Sequence, residues 1–242
     1  MISSLRSCRP NLICITGDVV YGSRPKGDRS PLETQENVLP FLSGCAAIAP
    51  TFMSLGNHEW MIDRTDLATL AGTGVTVLDN EWTSITVDGK EVILAGLTSG
   101  YVTDYRRFRA ESGSSDRYPR QESISGIGGA VHARTHKPDT EWLVDFCSTP
   151  GYHILLSHHP EYYPIIPASV DLILSGHAHG GQFRMYNPFK REWFGLWSPG
   201  QGWLPQWTRG VYEGRLVVSA GLSNTTWIPR IGNPTEIVYI EP

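Results

Sequence analysis

The sequence of 242 residues lacks the features that define several classes of protein. No apolar stretch approaches the roughly 20 residues that a transmembrane helix needs. Residues 1–10 contain no apolar core of a secretory signal, and no run of like charges is long enough to form a tail. The net charge of -4 and the pI near 6.1 argue against a surface for long nucleic acid, because such surfaces are usually strongly basic.

Cysteine is also scarce, with four residues at Cys8, Cys14, Cys45 and Cys147. They are scattered and form no Cys-x-x-Cys pair, which excludes a dense disulfide framework and a thiolate zinc site. Free or buried thiols are typical of a reducing compartment. The sequence therefore predicts a cytoplasmic protein.

The composition itself is ordinary for a globular protein, at 40% hydrophobic and 18% charged residues. A chain of this length can form one large α/β domain. We find neither an internal repeat nor a linker that would divide the sequence. We therefore expect a single domain over residues 1–242.

Four short apolar runs that are typical of buried strands each end in a polar cluster. The runs are Asn11–Thr16, Thr51–Leu55, Tyr152–Leu156 and Val170–Ser175, and the clusters are Gly17-Asp18, Gly56-Asn57-His58-Glu59, Ser157-His158-His159-Pro160 and Gly176-His177-Ala178-His179. Because the carboxyl ends of parallel strands meet at one edge of a sheet, these polar side chains are expected to lie close together.

A carboxylate, a carboxamide oxygen and several imidazoles make a mixed oxygen and nitrogen site. Such a donor set suits Mn, Fe, Zn or Co, in contrast to the all-oxygen sites that calcium prefers. Each cluster alone could be a polar turn, and the ordered set of four is far more specific. The sequence therefore predicts a divalent transition-metal site.

Elsewhere the patterns predict ordinary packing elements. They are a helix over Pro31–Ile48 that Pro40 kinks or interrupts, a helix over Asp63–Ala71, a hairpin turning at Asp88-Gly89, a helix over Asp139–Cys147, and closing strands at Leu216–Ser219 and Glu236–Ile240. Residues 99–137 read as a long loop in which His132 and His136 are solvated. The aromatic segment from Trp193 to Trp207 either walls a substrate cleft or packs over the sheet rim.

The four clusters, in this order, resemble motifs two to five of the calcineurin-like metallophosphoesterases. The later stretches His179-Gly180-Gly181-Gln182, Ser219-Ala220-Gly221-Leu222 and Pro229-Arg230-Ile231-Gly232-Asn233-Pro234 are similar to the bacterial branch of YkuE- and YaeI-like phosphohydrolases. The resemblance covers nearly the whole chain and is weakest over residues 99–137.

The resemblance implies a four-layer αββα sandwich with two metal ions at the carboxyl ends of the central strands. Asp18 would bridge the two ions, and His179 would belong to one of them. Asn57, His158 and His177 would complete the other, better supported site. His58 would protonate the leaving oxygen or hold a phosphate oxygen, with Asn57 beside it in the catalytic centre. Glu59 would orient His58, and His159 would lie behind the ligands or in solvent.

The family's first motif, Asp-x-His, does not occur in the 17 residues before Asp18. We therefore expect an N-terminally truncated sandwich that lacks the first strand and most of the first helix. A shortened chain, a single-metal variant and a gap covered by a neighbouring chain or region would each explain this. The strand edge left beside Asn11–Thr16 predicts self-association, because exposed strand edges pair readily. A longer form could also carry a membrane anchor, as some relatives do.

The function that the resemblance implies is hydrolysis of a small phosphomonoester or phosphodiester by metal-activated water, weakened by the missing motif. A different class of function is also consistent with the sequence: a non-catalytic or single-metal scaffold with the same fold. The missing motif favours that alternative, whereas the intact Asn57-His58, His158 and His177-x-His179 oppose it. A nuclease is a third interpretation, which the acidic pI disfavours for long nucleic acid.

Overall fold

The structure is a computed structural model that describes residues 1–21, 30–112, 124–125, 134–223 and 229–241. Its helices are α1 (Ile2–Cys8), α2 (Pro31–Thr34), α3 (Val38–Ala46), α4 (Arg64–Ala71), α5 (Gly100–Ser112) and α6 (Leu143–Ser148), with 3-10 turns at His58–Met61, Pro160–Ile165 and His179–Gly181. Its strands are β1 (Ile13–Ile15), β2 (Thr51–Ser54), β3 (Thr76–Leu78), β4 (Glu81–Val87), β5 (Lys90–Leu97), β6 (Ile124–Ser125), β7 (Arg134–Thr135), β8 (Tyr152–Ser157), β9 (Leu172–Ser175), β10 (Arg184–Asn187), β11 (Glu192–Gly195), β12 (Trp197–Ser198), β13 (Gly202–Trp203), β14 (Gly210–Tyr212) and β15 (Leu216–Val218).

Two sheets form the centre of the molecule. The smaller sheet has the order β1-β2-β3 and is parallel throughout. The larger has the order β14-β15-β9-β8-β5-β4, with parallel central strands and an antiparallel strand at each edge. The hairpin predicted at Asp88-Gly89 is confirmed, because Val87 pairs with Lys90 in the β4–β5 ladder.

The two sheets pack face to face, and helices cover their outer faces. Phe52 and Leu78 of the small sheet contact Leu94 and Leu156 of the large one. A second cluster joins the outer face of the small sheet to α2, α3 and α4, and a third joins the outer face of the large sheet to α6. This arrangement confirms the mixed α/β sandwich. Each large apolar side chain buried in it contributes about 1.5–3 kcal/mol relative to exposure.

Strand register brings the polar clusters to one rim. Ile15 pairs with Met53 in the small sheet, and Leu156 pairs with Leu174 in the large sheet, so paired strands end at the same level. The residues that follow the strands leave the sandwich on the same side. The rim therefore collects the loops after β1, β2, β8 and β9.

The helix predicted over Pro31–Ile48 is two helices, and the prediction of a break at Pro40 was wrong. The chain leaves the helix after Thr34 and starts α3 at Val38. Pro40 is the third residue of α3, where a backbone N–H has no partner within the helix, so a proline costs little there. By contrast, the predicted cap at Asp63 is confirmed: Asp63 and Asp66 form a capping box at the start of α4.

Residues 99–137 contain more structure than the sequence indicated. Helix α5 occupies Gly100–Ser112, and its Val102 and Tyr105 are buried. The prediction that His136 is solvated was wrong, because it is 4% exposed and its Nδ1 lies 2.7 Å from Asp104 Oδ2. His132 lies outside the described residues.

Two predictions near the C-terminal half also changed. The helix predicted over Asp139–Cys147 begins only at Leu143. The strand predicted over Glu236–Ile240 does not form, and its apolar side chains are 39–54% exposed. The segment is held instead by Glu236, whose carboxylate accepts from the Ala220 N–H and forms an ion pair with Arg209. A helix long and apolar enough to cross a bilayer is not found in the part of the chain that the structure describes.

Candidate metal centre

Three side chains from three different loops converge at the rim. Asp18 follows β1, His158 follows β8 and His177 follows β9, and one potential ligand atom of each lies within 4.8 Å of the other two. His158 is 2% exposed. The structure therefore brings together three of the five predicted metal ligands in a partly buried cluster.

The protonation of His158 is set by the loop after β1. Its Nδ1 lies 2.7 Å from the carbonyl oxygen of Thr16, a contact in which the imidazole N–H donates. The opposite nitrogen, Nε2, lies 3.0 Å from Asp18 Oδ2. Nε2 is buried and the contact lacks hydrogen-bond geometry. His158 Nε2 and Asp18 Oδ2 are therefore positioned like two ligands of one cation.

Charge within the cluster is consistent with this arrangement. Burial would raise the pKa of the Asp18 carboxyl, but the imidazoles of His158 and His58 lower it below its usual range. Burial, together with the neighbouring His159 and His158, holds the pKa of His177 well below its ordinary value. At neutral pH the cluster therefore offers an ionised carboxylate and an uncharged imidazole.

The backbone at the cluster adopts conformations that are uncommon for residues with side chains. Asp18 has φ +55° and His177 has φ +59°, both in the left-handed region. Such conformations cost about 1–3 kcal/mol each and persist where the surrounding structure enforces them. Their occurrence at two predicted ligands agrees with the expectation of a functional site at this rim.

Gly56 allows the two neighbouring loops to approach. A Cβ at this position would lie 2.4 Å from Asp18 Oδ1 and 2.9 Å from His158 Cγ. Both distances are shorter than any carbon contact allows, so only glycine fits. The glycine of the second cluster is therefore a packing requirement of the metal cluster.

The other members of the second cluster lie beside Asp18. The His58 N–H donates to Asp18 Oδ1 at 2.8 Å, and the His58 Nε2 lies 3.9 Å from Asp18 Oδ2. His58 retains 30% exposure of its side chain, so it can reach a bound molecule. The preceding Asn57 has a buried amide oxygen without a hydrogen-bond partner. An oxygen in that state is available to a metal ion.

Glu59 supports the site differently from the role predicted for it. Its fully buried carboxylate accepts from the backbone N–H groups of Asp18, Val19 and Gly56 at 2.7–2.8 Å, and of Val20 at 3.4 Å. The His58 Nδ1 has no hydrogen-bond partner, so Glu59 does not orient the His58 ring through that atom. Burial and the nearby Asp18 raise the pKa of Glu59 to about 7, against the effect of these N–H donors. Glu59 joins the loop after β1 to the loop after β2.

His179 lies apart from the three-residue cluster. Its Nδ1 is buried without a hydrogen-bond partner, and Asn233 donates to its carbonyl oxygen at 2.6 Å. Burial and the charge of Arg230 lower the pKa of His179 to about 4. Its unprotonated imidazole is thus available as a ligand. Among the described residues, His179 belongs to no group of three or more His, Cys, Asp or Glu side chains that could hold a metal ion.

A second buried group adjoins the first and includes a residue that the sequence analysis missed. His159, Glu161 and His177 each place one potential ligand atom within 4.8 Å of the others. Both His159 and Glu161 are completely buried, so His159 lies behind the cluster and not in solvent. Neither carboxylate oxygen of Glu161 has a hydrogen-bond partner. An acidic residue directly after a His-His-Pro turn was the available signal.

The aromatic segment after His179 is divided between the core and the surface. Trp207 is buried at 4% exposure and packs against Tyr163 in the core. Trp193 and Trp203 remain 55% and 68% exposed on the short hairpins that contain β11 and β13. Their role in walling a substrate cleft stays a prediction.

The residues at this rim fit a divalent transition metal. The donor set of Asp18, Asn57, His158 and His177 combines oxygen and imidazole nitrogen. Two of its atoms, Asn57 Oδ1 and His158 Nε2, are buried and lack hydrogen-bond partners, a condition that a bound cation would relieve. The His158 hydrogen bond to a backbone carbonyl is the kind of support that metal-binding histidines usually have.

Comparison with known proteins agrees with this geometry. A family model described as "Calcineurin-like phosphoesterase" matches residues 1–181, which is most of the chain. A protein of Caenorhabditis elegans named "Putative metallophosphoesterase F40B5.2" is 26% identical over 200 residues, which cover 78% of this chain and 34% of that protein. YpbG of Bacillus subtilis is 26% identical over 195 residues, which cover 78% of this chain and 60% of YpbG.

The chain thus spans between about a third and three fifths of the length of these relatives. Among solved structures, a sulfate thiohydrolase SoxB of "Termus thermophilus" in complex with glycerol aligns with a TM-score of 0.46 at 16% identity. That alignment covers 86% of this chain and 33% of SoxB.

Proposed function

Because the chain belongs to the calcineurin-like phosphoesterase family, we propose that it hydrolyses a small phosphomonoester or phosphodiester with a divalent transition metal held at the rim. The observation that carries the proposal is the contact of His158 Nε2 with Asp18 Oδ2 at 3.0 Å, with Asn57 Oδ1 buried and unpartnered nearby. Asp18, Asn57, His158 and His177 would hold the metal. A metal in such a site activates water and stabilises the charge that develops on phosphoryl oxygens.

The residues of the chain supply the remaining chemistry. His58 is the partly exposed imidazole beside the cluster, and we assign to it the proton that the leaving oxygen receives. Its backbone N–H donates to Asp18, so the backbone of His58 has a defined position relative to the metal ligands. Glu59 holds the two loops together from beneath through backbone N–H groups.

His179 would serve a second metal. The resemblance to the family assigns the other ligands of that ion to an Asp-x-His motif, which does not occur in residues 1–17. Asp18 and His179 alone would bind that ion weakly. We therefore propose that one ion per chain binds tightly and that activity is low.

The first test is reconstitution. Metal-free protein loaded separately with Mn, Fe, Zn or Co is expected to hydrolyse aryl phosphates or aryl phosphodiesters, and chelation should remove the activity. His177→Ala, which lacks a ligand, should lose both metal and activity, with metal content measured by elemental analysis. Metal-loaded wild-type protein that cleaves neither substrate would contradict catalysis and favour the scaffold function.

We further propose that the chain self-associates through β1. Strand β1 pairs only with β2 among the described strands and therefore has one free edge. Light scattering after size-exclusion chromatography should give a mass that is a multiple of the 26.9 kDa chain. A monomer that persists across a hundredfold range of protein concentration would contradict this proposal.

A further inference from the structure

Glu161 is a buried acidic residue that the proposed hydrolysis does not use. It belongs to the 3-10 turn Pro160–Ile165, three residues after the ligand His158, and its side chain is completely buried. Neither of its oxygens has a hydrogen-bond partner. A buried carboxylate without donors is costly, so a group of this kind is normally paired with a donor or a cation.

Two imidazoles flank the carboxylate. His159 Nδ1 lies 3.6 Å from Glu161 Oε2, just beyond hydrogen-bond length, with Thr135 Oγ1 at 3.5 Å from the same nitrogen. On the other side, a Cβ on Gly200 would lie 2.9 Å from Glu161 Oε1 and 3.0 Å from His177 Nε2. Both atoms therefore border Gly200, and one oxygen of Glu161 and one nitrogen of His177 lie within 4.8 Å of each other.

The two imidazoles can supply one N–H to each oxygen of the Glu161 carboxylate. A neutral imidazole has one N–H and one lone pair. His159 Nε2 lies 2.8 Å from the Ser99 hydroxyl, which can donate to it and leave the N–H on Nδ1, facing Glu161. An N–H on His177 Nε2 would face the other oxygen of Glu161. That tautomer leaves the lone pair of His177 on Nδ1, for the metal.

We propose that Glu161 is a positioning residue of the metal centre, which accepts the Nε2–H of His177 and thereby fixes that histidine as an Nδ1 ligand. Behind it, the Ser99 hydroxyl lies within hydrogen-bond distance of His159, whose Nδ1–H would face the carboxylate. Metal-binding histidines commonly donate their second N–H to a carboxylate, which orients the ring and raises its basicity. This inference rests on the proposed function only in placing a metal at Asp18, His158 and His177.

A metal ion inside the His159, Glu161 and His177 group would be a different arrangement. His177 would then bind two ions through its two nitrogens, which requires loss of the ring proton. The proposed arrangement, in which His177 donates its Nε2–H to Glu161, needs no such deprotonation. The two arrangements differ in the number of ions bound, so one experiment separates them.

The test compares Glu161→Gln with wild type by titrating metal-free protein with Zn²⁺. We expect a loss of about 10–100-fold in affinity for the tightly bound ion with unchanged stoichiometry, as for other carboxylates behind a ligand histidine. Metal-free Glu161→Gln should be at least as stable to heat as metal-free wild type, because a buried charge is removed. A merely structural role predicts the opposite change in stability.

A second readout reports the tautomer directly. In the ¹⁵N NMR spectrum of zinc-loaded wild type, His177 should have its proton on Nε2, and the proton signal should shift in Glu161→Gln. Ser99→Ala should weaken zinc binding less than Glu161→Gln does. Glu213→Gln, which alters a carboxylate that accepts from the Tyr163 hydroxyl, is the charge-matched control and should bind zinc as wild type does.

Three results would overturn the proposal. They are zinc affinity of Glu161→Gln within twofold of wild type, a His177 proton on Nδ1, and loss of one equivalent of bound zinc in Glu161→Gln. The third result would make the carboxylate itself a ligand. Wild type that binds zinc without hydrolysing any phosphoester would contradict the proposed function but not this inference.

Discussion

Asp18→Asn is expected to lower the affinity for the tightly bound metal by more than about 100-fold and to abolish hydrolysis. Changing a residue that only supports a ligand costs about 10–100-fold in metal affinity, so removal of the charged ligand itself should cost more. Asparagine keeps the shape and can still accept from the His58 N–H, as Asp18 Oδ1 does. The loss of metal affinity would therefore result from the missing charge more than from a rearranged loop.

Calorimetric titration of metal-free protein measures this effect, with phosphoesterase activity assayed in parallel. Asp171→Asn is a suitable control, because Asp171 accepts from the His153 N–H at the opposite end of the strand pair. It should bind metal as wild type does. Wild-type affinity in Asp18→Asn would remove Asp18 from the ligand set and contradict the proposed site.

Gly56→Ala is expected to weaken metal binding and to destabilise the fold without altering any ligand. The new methyl group would lie 2.4 Å from Asp18 Oδ1 and 2.9 Å from His158 Cγ. Relief of this overlap must separate the two ligands or shift the loop after β1. Overpacking of this kind costs typically about 1–3 kcal/mol in the free energy of unfolding. Metal affinity should fall by at least about 10-fold, as when ligand support is removed.

Urea unfolding of the metal-free protein and metal titration measure the two effects separately. Gly72→Ala is the matched control, because Gly72 ends α4 away from the site with φ -59°, which alanine adopts readily. Its free energy of unfolding should stay within about 1 kcal/mol of wild type. If Gly56→Ala binds metal as well as Gly72→Ala does, the close approach of the two loops does not matter for the ligands.

Glu59 and Glu161 show how differently two buried carboxylates can serve one centre. Glu59 is saturated with backbone N–H donors and fixes the loops that present Asp18 and His58. Glu161 has no such donors and faces imidazoles. The first contributes to the shape of the site, and we propose that the second controls the orientation and proton of a ligand.

The sequence by itself determined which strand ends carry the chemistry. An apolar run followed by glycine and a polar cluster is a local signal, because strand burial and loop conformation both depend on neighbouring residues. That signal placed Asp18, His158 and His177 correctly at one rim. The capping box at Asp63 and the hairpin at Asp88-Gly89 are local in the same sense, and both predictions are confirmed.

Only the tertiary structure decided which polar residues are buried together. His136 and Glu161 look like ordinary loop residues in the sequence, and both are buried by elements distant along the chain. The segment Glu236–Ile240 has the apolar run of a strand, yet it pairs with no strand in the described part of the chain, and the Glu236 carboxylate accepts from the Ala220 N–H at the rim. Burial and partner choice depend on contacts between residues far apart in the chain, and a local pattern contains no information about them.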